Sequence, residues 1–366
     1  MISSTYPITK TINPEPEVAE MQTCTWAPTT FAGTKVVKDQ HSTRETAREM
    51  PTGDQLTQLV ATYVARLEDL GLSHILIAQR WWGNAKEIEG SSLDCLAMTS
   101  YIAACTSSIQ MVTAIHPGFF HPSVIAKWAA TLDNLTKGRW SINVTSGWNM
   151  EEFSMYGIDP LTHDERYKRS SEFIDVLRGA WQHPVFDYQG EYYQVKNLVM
   201  QPRPTGPLEV FQGGQSDAAI RMACHHSDWM FLNGGSLDKI QGIIKRVRSV
   251  AEEEGRCPRF AVYGIPICRE TDAEAYAVID NMISNMDPAV LAKRKERVSG
   301  AEGMWANADK LGMLDTNEGY STGLIGAPDT ILEQIRQLNA AGVDMLHLAL
   351  GDKLFEQEVL PLIHAI

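Results

Sequence analysis

The feature that most constrains this chain is an alternation, repeated along its length, of short runs rich in β-branched and aromatic residues with longer amphipathic stretches. The short runs are Thr23–Trp26, His74–Ala78, Gln110–Ile115, Trp140–Thr145, Leu208–Gln212, Trp229–Leu232, Phe260–Ile267 and Val343–Leu348. Helix-like stretches lie between them at Asp54–Leu70, Ser123–Leu135, Asp164–Trp181, Asp217–His226, Leu237–Glu254, Asp272–Asn285 and Asp329–Ala340, most opened by an Asp or Ser able to cap the first turn. Such alternation predicts parallel strands joined by right-handed helical crossovers, because a parallel neighbour is reached only by a long return connection. Eight units predict closure into an α/β fold, a (β/α)8 TIM barrel, with an open doubly wound sheet as the alternative. At 366 residues the chain fits one barrel domain spanning 1–366. Three segments interrupt the pattern and are read as insertions: polar 27–52, hairpin-like 185–199, and polar, poorly periodic 287–320. Insertions after strands belong on the C-terminal face, where barrel active sites lie.

Composition narrows the partners. With 45 acidic and 32 basic residues the formal charge is −13, which repels a phosphate backbone unless cations gather in one patch. The densest basic run, Lys293-Arg294-Lys295 with Arg297, is interrupted by Glu296, so no nucleic-acid partner is expected. No apolar run approaches the roughly 18 residues of a membrane span, and the first residues do not begin a signal peptide. A cytoplasmic protein without a membrane partner is the expectation. The six cysteines (Cys24, Cys95, Cys105, Cys224, Cys257, Cys268) include no C-x-x-C pair and read as buried, reduced thiols. No metal site is expected, since the ten histidines form no H-E-x-x-H and His225-His226 are adjacent instead of i, i+4. G-x-S-x-G is also absent, which removes support for a hydrolase elbow.

Three constellations carry candidate chemistry. Gln212-Gly213-Gly214-Gln215-Ser216-Asp217 lies between an apolar strand and a helix, a placement that aims backbone N–H groups and the helix dipole at an anion. A Gly-rich βα turn can also be only a turn. His163-Asp164-Glu165-Arg166-Tyr167 opens a helix and offers a cation and a phenol of the kind that clamp phosphate, or else a surface salt-bridge turn. Aromatic residues gather near the strand ends at Trp26, Trp81-Trp82, Phe119-Phe120 and Trp148, which suits an apolar-walled site for a planar cofactor, although some must pack loops onto the barrel.

At these residues the chain resembles the bacterial-luciferase-like flavin monooxygenases, in the branch of alkanesulfonate, dimethyl sulfone and pyrimidine ring-opening oxygenases. The matching stretches are Ile142–Trp148, Glu151-Glu152-Phe153, His163–Tyr167, Phe186–Tyr193, Phe211–Ser216 and Leu324–Pro328, and the likeness runs from about Thr23 to the C-terminus. The dimethyl sulfone group is similar also at Ala114–Gly118, Ser227-Asp228-Trp229, Glu302–Trp305 and Gly319–Ile325. The resemblance implies non-covalent FMN, taken up reduced as FMNH2 from a separate NAD(P)H-dependent flavin reductase, with O2 as co-substrate. No G-x-G-x-x-G opens a βαβ unit, so no intrinsic NAD(P)H site is expected. By resemblance Asn143, Glu152, Arg166, Tyr167 and Ser216 are flavin-site residues, with Gly213, Gly214 and Gln215 along the phosphate turn and Gln79-Arg80 near the ring system.

For catalysis the resemblance points to Asn143 as a polar contact near flavin and oxygen, and to His116 for substrate positioning or proton relay, or as a structural His at a strand end. Substrate-facing candidates are Trp26, Trp81, Trp82, Phe119, Trp148, Tyr263 and Trp305, the last carried by 287–320 acting as a lid. Alkanesulfonate oxygenases carry an Arg and a His on the seventh strand, where this chain places Tyr263 and Ile265; losing those cations argues for a small neutral substrate such as a sulfone. The resemblance also implies a homodimer or homotetramer. Two other readings stay open: an F420-dependent oxidoreductase on the same barrel, and a non-catalytic flavin-binding subunit.

Overall fold

A computed structural model describes residues 20–31, 37, 50–81, 91–289, 291–292, 311–315 and 317–366. Its strands are β1 (Gln22–Trp26), β2 (His74–Ile77), β3 (Gln110–Ile115), β4 (Trp140–Val144), β5 (Phe186–Gln189), β6 (Gln194–Leu198), β7 (Val210–Gly213), β8 (Trp229–Leu232), β9 (Arg259–Gly264), β10 (Ile267–Cys268), β11 (Ile325–Gly326) and β12 (Met345–Leu348). Eight of them close into a barrel in the order β1-β12-β9-β8-β7-β4-β3-β2, all neighbours parallel. The ring is sealed by the first and last strands, with Cys24 opposite His347 and Thr25 opposite Leu348. The expected (β/α)8 architecture is therefore the one observed, and the open sheet is excluded.

The helices are α1 (Asp54–Asp69), α2 (Cys95–Cys105), α3 (Pro122–Thr136), α4 (Met150–Met155), α5 (His163–Gln182), α6 (Asp217–His226), α7 (Leu237–Glu254), α8 (Asp272–Ser284), α9 (Pro328–Ala340) and α10 (Lys353–Glu358). Their starts follow local chemistry. Ser216, Ser236, Asp94 and Asp352 each accept a backbone N–H at the N-terminus of their helix, and Thr271 with Glu274 forms a reciprocal capping box before α8. At the far end of α7 Gly255 adopts φ +87°, a left-handed cap that a side chain disfavours.

Strand period sorts the core into two layers. Ile75, Ile77, Met111, Ile142, Val144, Val210, Met230, Val262 and Leu346 pack outward against the helices. Cys24, Leu76, Val112, Phe211, Trp229, Ala261 and Met345 fill the barrel interior. Both faces are buried, which is why these strands read as continuous apolar runs.

Three elements differ from their sequence reading. Helix α2 is apolar on all sides, so no 3.6-residue period marks it, yet it fills the crossover from β2 to β3. The run Phe260–Ile267 breaks after Gly264, because Pro266 has no N–H to continue a ladder; Ile267 and Cys268 instead pair with Ile325 and Gly326 outside the barrel. Residues after β12 wind into α10 and a 3-10 turn over Leu360–Ala365, elements the alternation did not announce. Residues 186–198 form an antiparallel hairpin, and much of 27–52 and 287–320 lies outside the described residues. Four cysteines are buried and free; Cys105 is half-buried and Cys257 exposed, both departing from the expectation of burial. Among the described residues no helix is long and apolar enough to cross a membrane.

Strand β3 is held in place by Glu68 of α1, whose Oε1 accepts the N–H groups of Ser107, Ser108 and Ile109. Partial burial alone would raise this carboxyl, but the Ser108, Ile109 and Ser107 N–H groups outweigh it and bring it down to about 2 from 4.5. A folded value below the unfolded one contributes stability above the unfolded pKa that is lost as the pH falls toward the folded one. Glu68→Gln should therefore cost about 1 kcal/mol at pH 7, after allowance for solvent screening. The wild-type advantage should shrink as pH drops from 4.5 toward 2, read by urea denaturation across that range; a constant difference would mean the carboxylate charge is not involved.

Candidate active site

At the C-terminal mouth of the barrel the period-two alternation turns Trp26 (β1), Asn143 (β4), Phe231 (β8), Tyr263 (β9) and His347 (β12) inward, above the interior layer. The His347 ring sits 4.6 Å from Trp26, 5.1 Å from Tyr263 and 5.4 Å from Phe231, with Trp26 and Tyr263 6.4 Å apart edge to face. The other three rings make an aromatic floor around the one imidazole, and His347 is 3% exposed. Sequence reasoning found Trp26 and Tyr263 but missed His347 and Phe231. The signal was present: in Met345-Leu346-His347-Leu348 a lone polar residue occupies an inward position of a strand buried on both faces.

A second group crosses from β2 and β3 to α4. The Gln79 Oε1 accepts the His116 N–H at 2.8 Å, and Glu152 Oε1 accepts the Trp81 N–H at 2.8 Å. Glu152 Oε2 lies 3.8 Å from His116 Nδ1, with both side chains buried. Phe153 stacks parallel to His116 at 6.3 Å and meets Phe119 at 4.7 Å. Phe153 also lies so close to Gly147 that a Cβ there would fall 2.6 Å from its ring, which explains a glycine with φ +93° in the loop after β4. Trp81 packs at 5.4 Å on each of Phe119, Phe120 and Tyr156. Burial, reinforced by the nearby Arg80 cation, pushes His116 down to about 3. The imidazole is accordingly neutral beside Glu152 at any working pH.

The third group is the glycine turn. Gly214 has φ +122°, and a Cβ on it would stand 2.9 Å from the Tyr167 hydroxyl and 3.0 Å from Ala219 Cβ. Tyr167 is hydrogen-bonded to Ser216, whose Oγ accepts the Ala219 N–H as the cap of α6. Gly213 is open, with nothing within 4 Å of its Cβ position. Backbone N–H groups at the start of α6, a phenol and an uncrowded glycine thus converge as an anion would require. Arg166 is anchored beside them, its Nε donating to Gly147 O at 3.2 Å and its Nη1 to Leu161 O at 2.8 Å.

Several buried polar atoms in these groups have no partner among the described residues: Trp26 Nε1, Gln79 Nε2, Asn143 Oδ1 and Gln215 Nε2. Each unsatisfied buried group costs roughly 1–3 kcal/mol, so their gathering at one barrel mouth fits a polar planar ligand such as flavin. The structure brings Gln79, Arg80, Trp81, His116, Phe119 and Glu152 into one cluster, Trp26 and Tyr263 into a second, and Arg166, Tyr167 and Gly213–Ser216 into a third. Asn143 lies between the first and third on β4, and Trp148 is half-buried in the loop after it. Trp82 and Trp305 lie outside the described residues. Ile265 follows the last residue of β9 and packs in the apolar cluster that also contains Tyr263.

Comparison with known proteins bears on this geometry. The sequence profile described as luciferase-like monooxygenase matches residues 36–345. An FMNH(2)-dependent dimethylsulfone monooxygenase of Pseudomonas fluorescens (strain Pf0-1) is 38% identical over 285 residues, 75% of this chain and 78% of that protein. Its counterpart in Pseudomonas putida is 36% identical over 287 residues, 75% of this chain and 79% of that protein. Among solved structures, DmoA from Hyphomicrobium sulfonivorans aligns with a TM-score of 0.74 at 19% identity, covering 95% of this chain and 88% of its own, which supports the shared fold.

The neutral His116 has a consequence for stability. Its folded pKa near 3 lies below the ordinary 6.5, so the unfolded chain gains a proton first and stability is lost as the pH falls from 6.5 through 3. Between pH 7 and pH 5.5 this site should cost about 1 kcal/mol. Urea midpoints of wild type and His116→Gln should show the variant losing less over that interval; parallel losses would mean the folded imidazole already takes up the proton.

Proposed function

The chain belongs to the luciferase-like monooxygenases, and on that premise we propose that it is the oxygenase of a two-component system, using FMNH2 and O2 to oxidise a small neutral, sulfone-like substrate. The observation that carries the substrate class is the aromatic floor of Trp26, Phe231, Tyr263 and His347, where the seventh barrel strand contributes a phenol and no cation. An anionic sulfonate would need a charged partner when desolvated there, whereas a sulfone needs hydrogen-bond donors and apolar walls. The names of the dimethylsulfone relatives support the same class.

Reduced flavin, when bound, supplies the electrons that activate O2 for transfer of one oxygen atom to substrate and reduction of the other to water. In this reading the Gly213–Ser216 turn, Tyr167 and Arg166 hold its phosphate, with Gln79, Arg80, Gln215 and Glu152 along its flank. Asn143 offers an amide to the ring system and oxygen. His116, kept neutral by burial and Arg80, presents a hydrogen bond to substrate without adding charge to the site. Trp81 and Phe119 close the side of the site against water, which protects the oxidising equivalent from unproductive decay. The flavin reductase is a transient partner that delivers FMNH2, and the assembly proposed is a homodimer or homotetramer.

Two outcomes test this. With NADH and FMN the purified protein should oxidise no NADH, and adding a flavin reductase should start turnover of dimethyl sulfone while leaving alkanesulfonates untouched. NADH oxidation by the protein alone, or a preference for sulfonates, contradicts it. Gly214→Ala places a Cβ against Tyr167 and should weaken FMN about tenfold while riboflavin, lacking the phosphate, changes little. Equal loss for both flavins would move the phosphate elsewhere.

A further inference from the structure

Arg169, on the first turns of α5, is 7% exposed and has no carboxylate partner among the described residues. Its Nε and Nη2 find no hydrogen-bond acceptor among the described residues. The guanidinium lies over Gly118, where a Cβ would fall 2.6 Å from Cζ and Nη1, and its Cζ sits 5.4 Å from the Phe153 ring centroid. Close by is Tyr193, also 7% exposed, whose hydroxyl is buried and has no acceptor among the described residues. The Gly118 N–H faces that hydroxyl. The nearest acid one turn along, Glu172, is committed elsewhere, accepting the N–H groups of Glu191, Tyr192 and Tyr193 at 2.7 to 3.1 Å. Burial depresses the Arg169 pKa, with Arg166 adding to the effect and the Tyr193 and Tyr192 phenols opposing it.

A buried cation flanked by phenols and by no carboxylate among the described residues is costly unless an anion completes it, because desolvating an unpaired guanidinium costs several kcal/mol and a ring face recovers only part. We infer that Arg169 and the Tyr193 hydroxyl, itself oriented by the Gly118 N–H, frame a binding site for one small oxyanion, a sulfate-, phosphate- or sulfinate-like group. The site is separate from the glycine turn. Tyr167 and Arg169 are two residues apart on α5, about 200° around the helix, so they face opposite flanks. Tyr167 meets Ser216 on the α6 side and Arg169 meets Gly118 on the side of β3 and the hairpin. Gly118 follows His116 by two residues, so an anion here would tie α5 and the hairpin to the loop that carries the imidazole.

The ligand could be a free inorganic oxyanion or the anion released when a sulfone loses a carbon, and the titrant separates the two. The full chain, saturated with FMN to occupy the flavin site, is titrated calorimetrically at constant ionic strength with sulfate and, separately, with methanesulfinate. Wild type should bind at least one of them saturably; tighter binding of sulfinate identifies the product and tighter binding of sulfate an inorganic anion. Arg169→Met should lose at least about tenfold in affinity, and Tyr193→Phe, which keeps charge and packing, roughly threefold. Without oxyanion, Arg169→Met should melt no lower than wild type, since it removes an unpaired buried charge. Absence of saturable binding in wild type, undiminished binding in Arg169→Met, anion binding that FMN displaces, or a lower melting temperature of the anion-free variant would each overturn the proposal.

Discussion

The mouth of this protein depends on one pairing, the parallel ladder between β1 and β12 that closes the barrel. Trp26 and His347 are separated by most of the chain, and only this closure brings their rings to 4.6 Å. Once the register is fixed by Cys24 opposite His347, the two-residue period decides which side chains face the axis. A slip by one residue would exchange the floor of Trp26, Tyr263 and His347 for the outward apolar set that packs on the helices. Site and core are therefore two readings of a single alternation.

Above that floor, the chemistry is set by what is left unsatisfied and what is kept neutral. At the barrel mouth Gln79 Nε2, Asn143 Oδ1 and the Trp26 indole N–H are buried without a partner among the described residues, and these are atoms a ligand would complete. His116 illustrates the other principle: stacked on Phe153 and beside Glu152, it would become an ion pair in water, but burial and Arg80 hold it uncharged. The neutral imidazole beside the Arg80 cation adds no charge of its own to the site. The buried Arg169 lies behind Phe153, away from the aromatic floor.

Much of this was legible in the sequence, for physical reasons that can be named. Strands buried on both faces announce themselves by continuous apolar runs, so all eight barrel strands were found, seven within about two residues at each end and β9 read three residues too long at its C-terminal end. Helices with one wet face were found by their period. Helix α2 was not, because it is apolar all round. Among site residues, glycines followed by a capping serine pointed to the turn at Gly213–Ser216, Trp26 was read as an aromatic at a strand end, and Tyr263 came from the family resemblance at the seventh strand. Phe231 escaped because nothing local distinguishes an inward phenylalanine from a packed one, whereas His347 carried a local signal as the lone polar residue of a buried strand; only barrel closure shows their convergence. Arg169 was overlooked inside a charged helical segment that reads as solvent-facing, since its burial arises from Gly118, Phe153 and Tyr193, each far away along the chain.

The central claim is that these residues direct one atom of O2 into a neutral substrate. It is tested most directly by supplying FMNH2 under oxygen-18 gas with dimethyl sulfone and measuring the label in the products by mass spectrometry. One oxygen-18 atom per turnover in the organic products, with none when the oxygen-18 is supplied in water instead, after correction for exchange of product oxygen with solvent, is the result predicted here. Unlabelled product, or oxygen consumed only to give peroxide, would contradict the oxygenase assignment and point to hydride transfer or simple flavin binding on the same barrel.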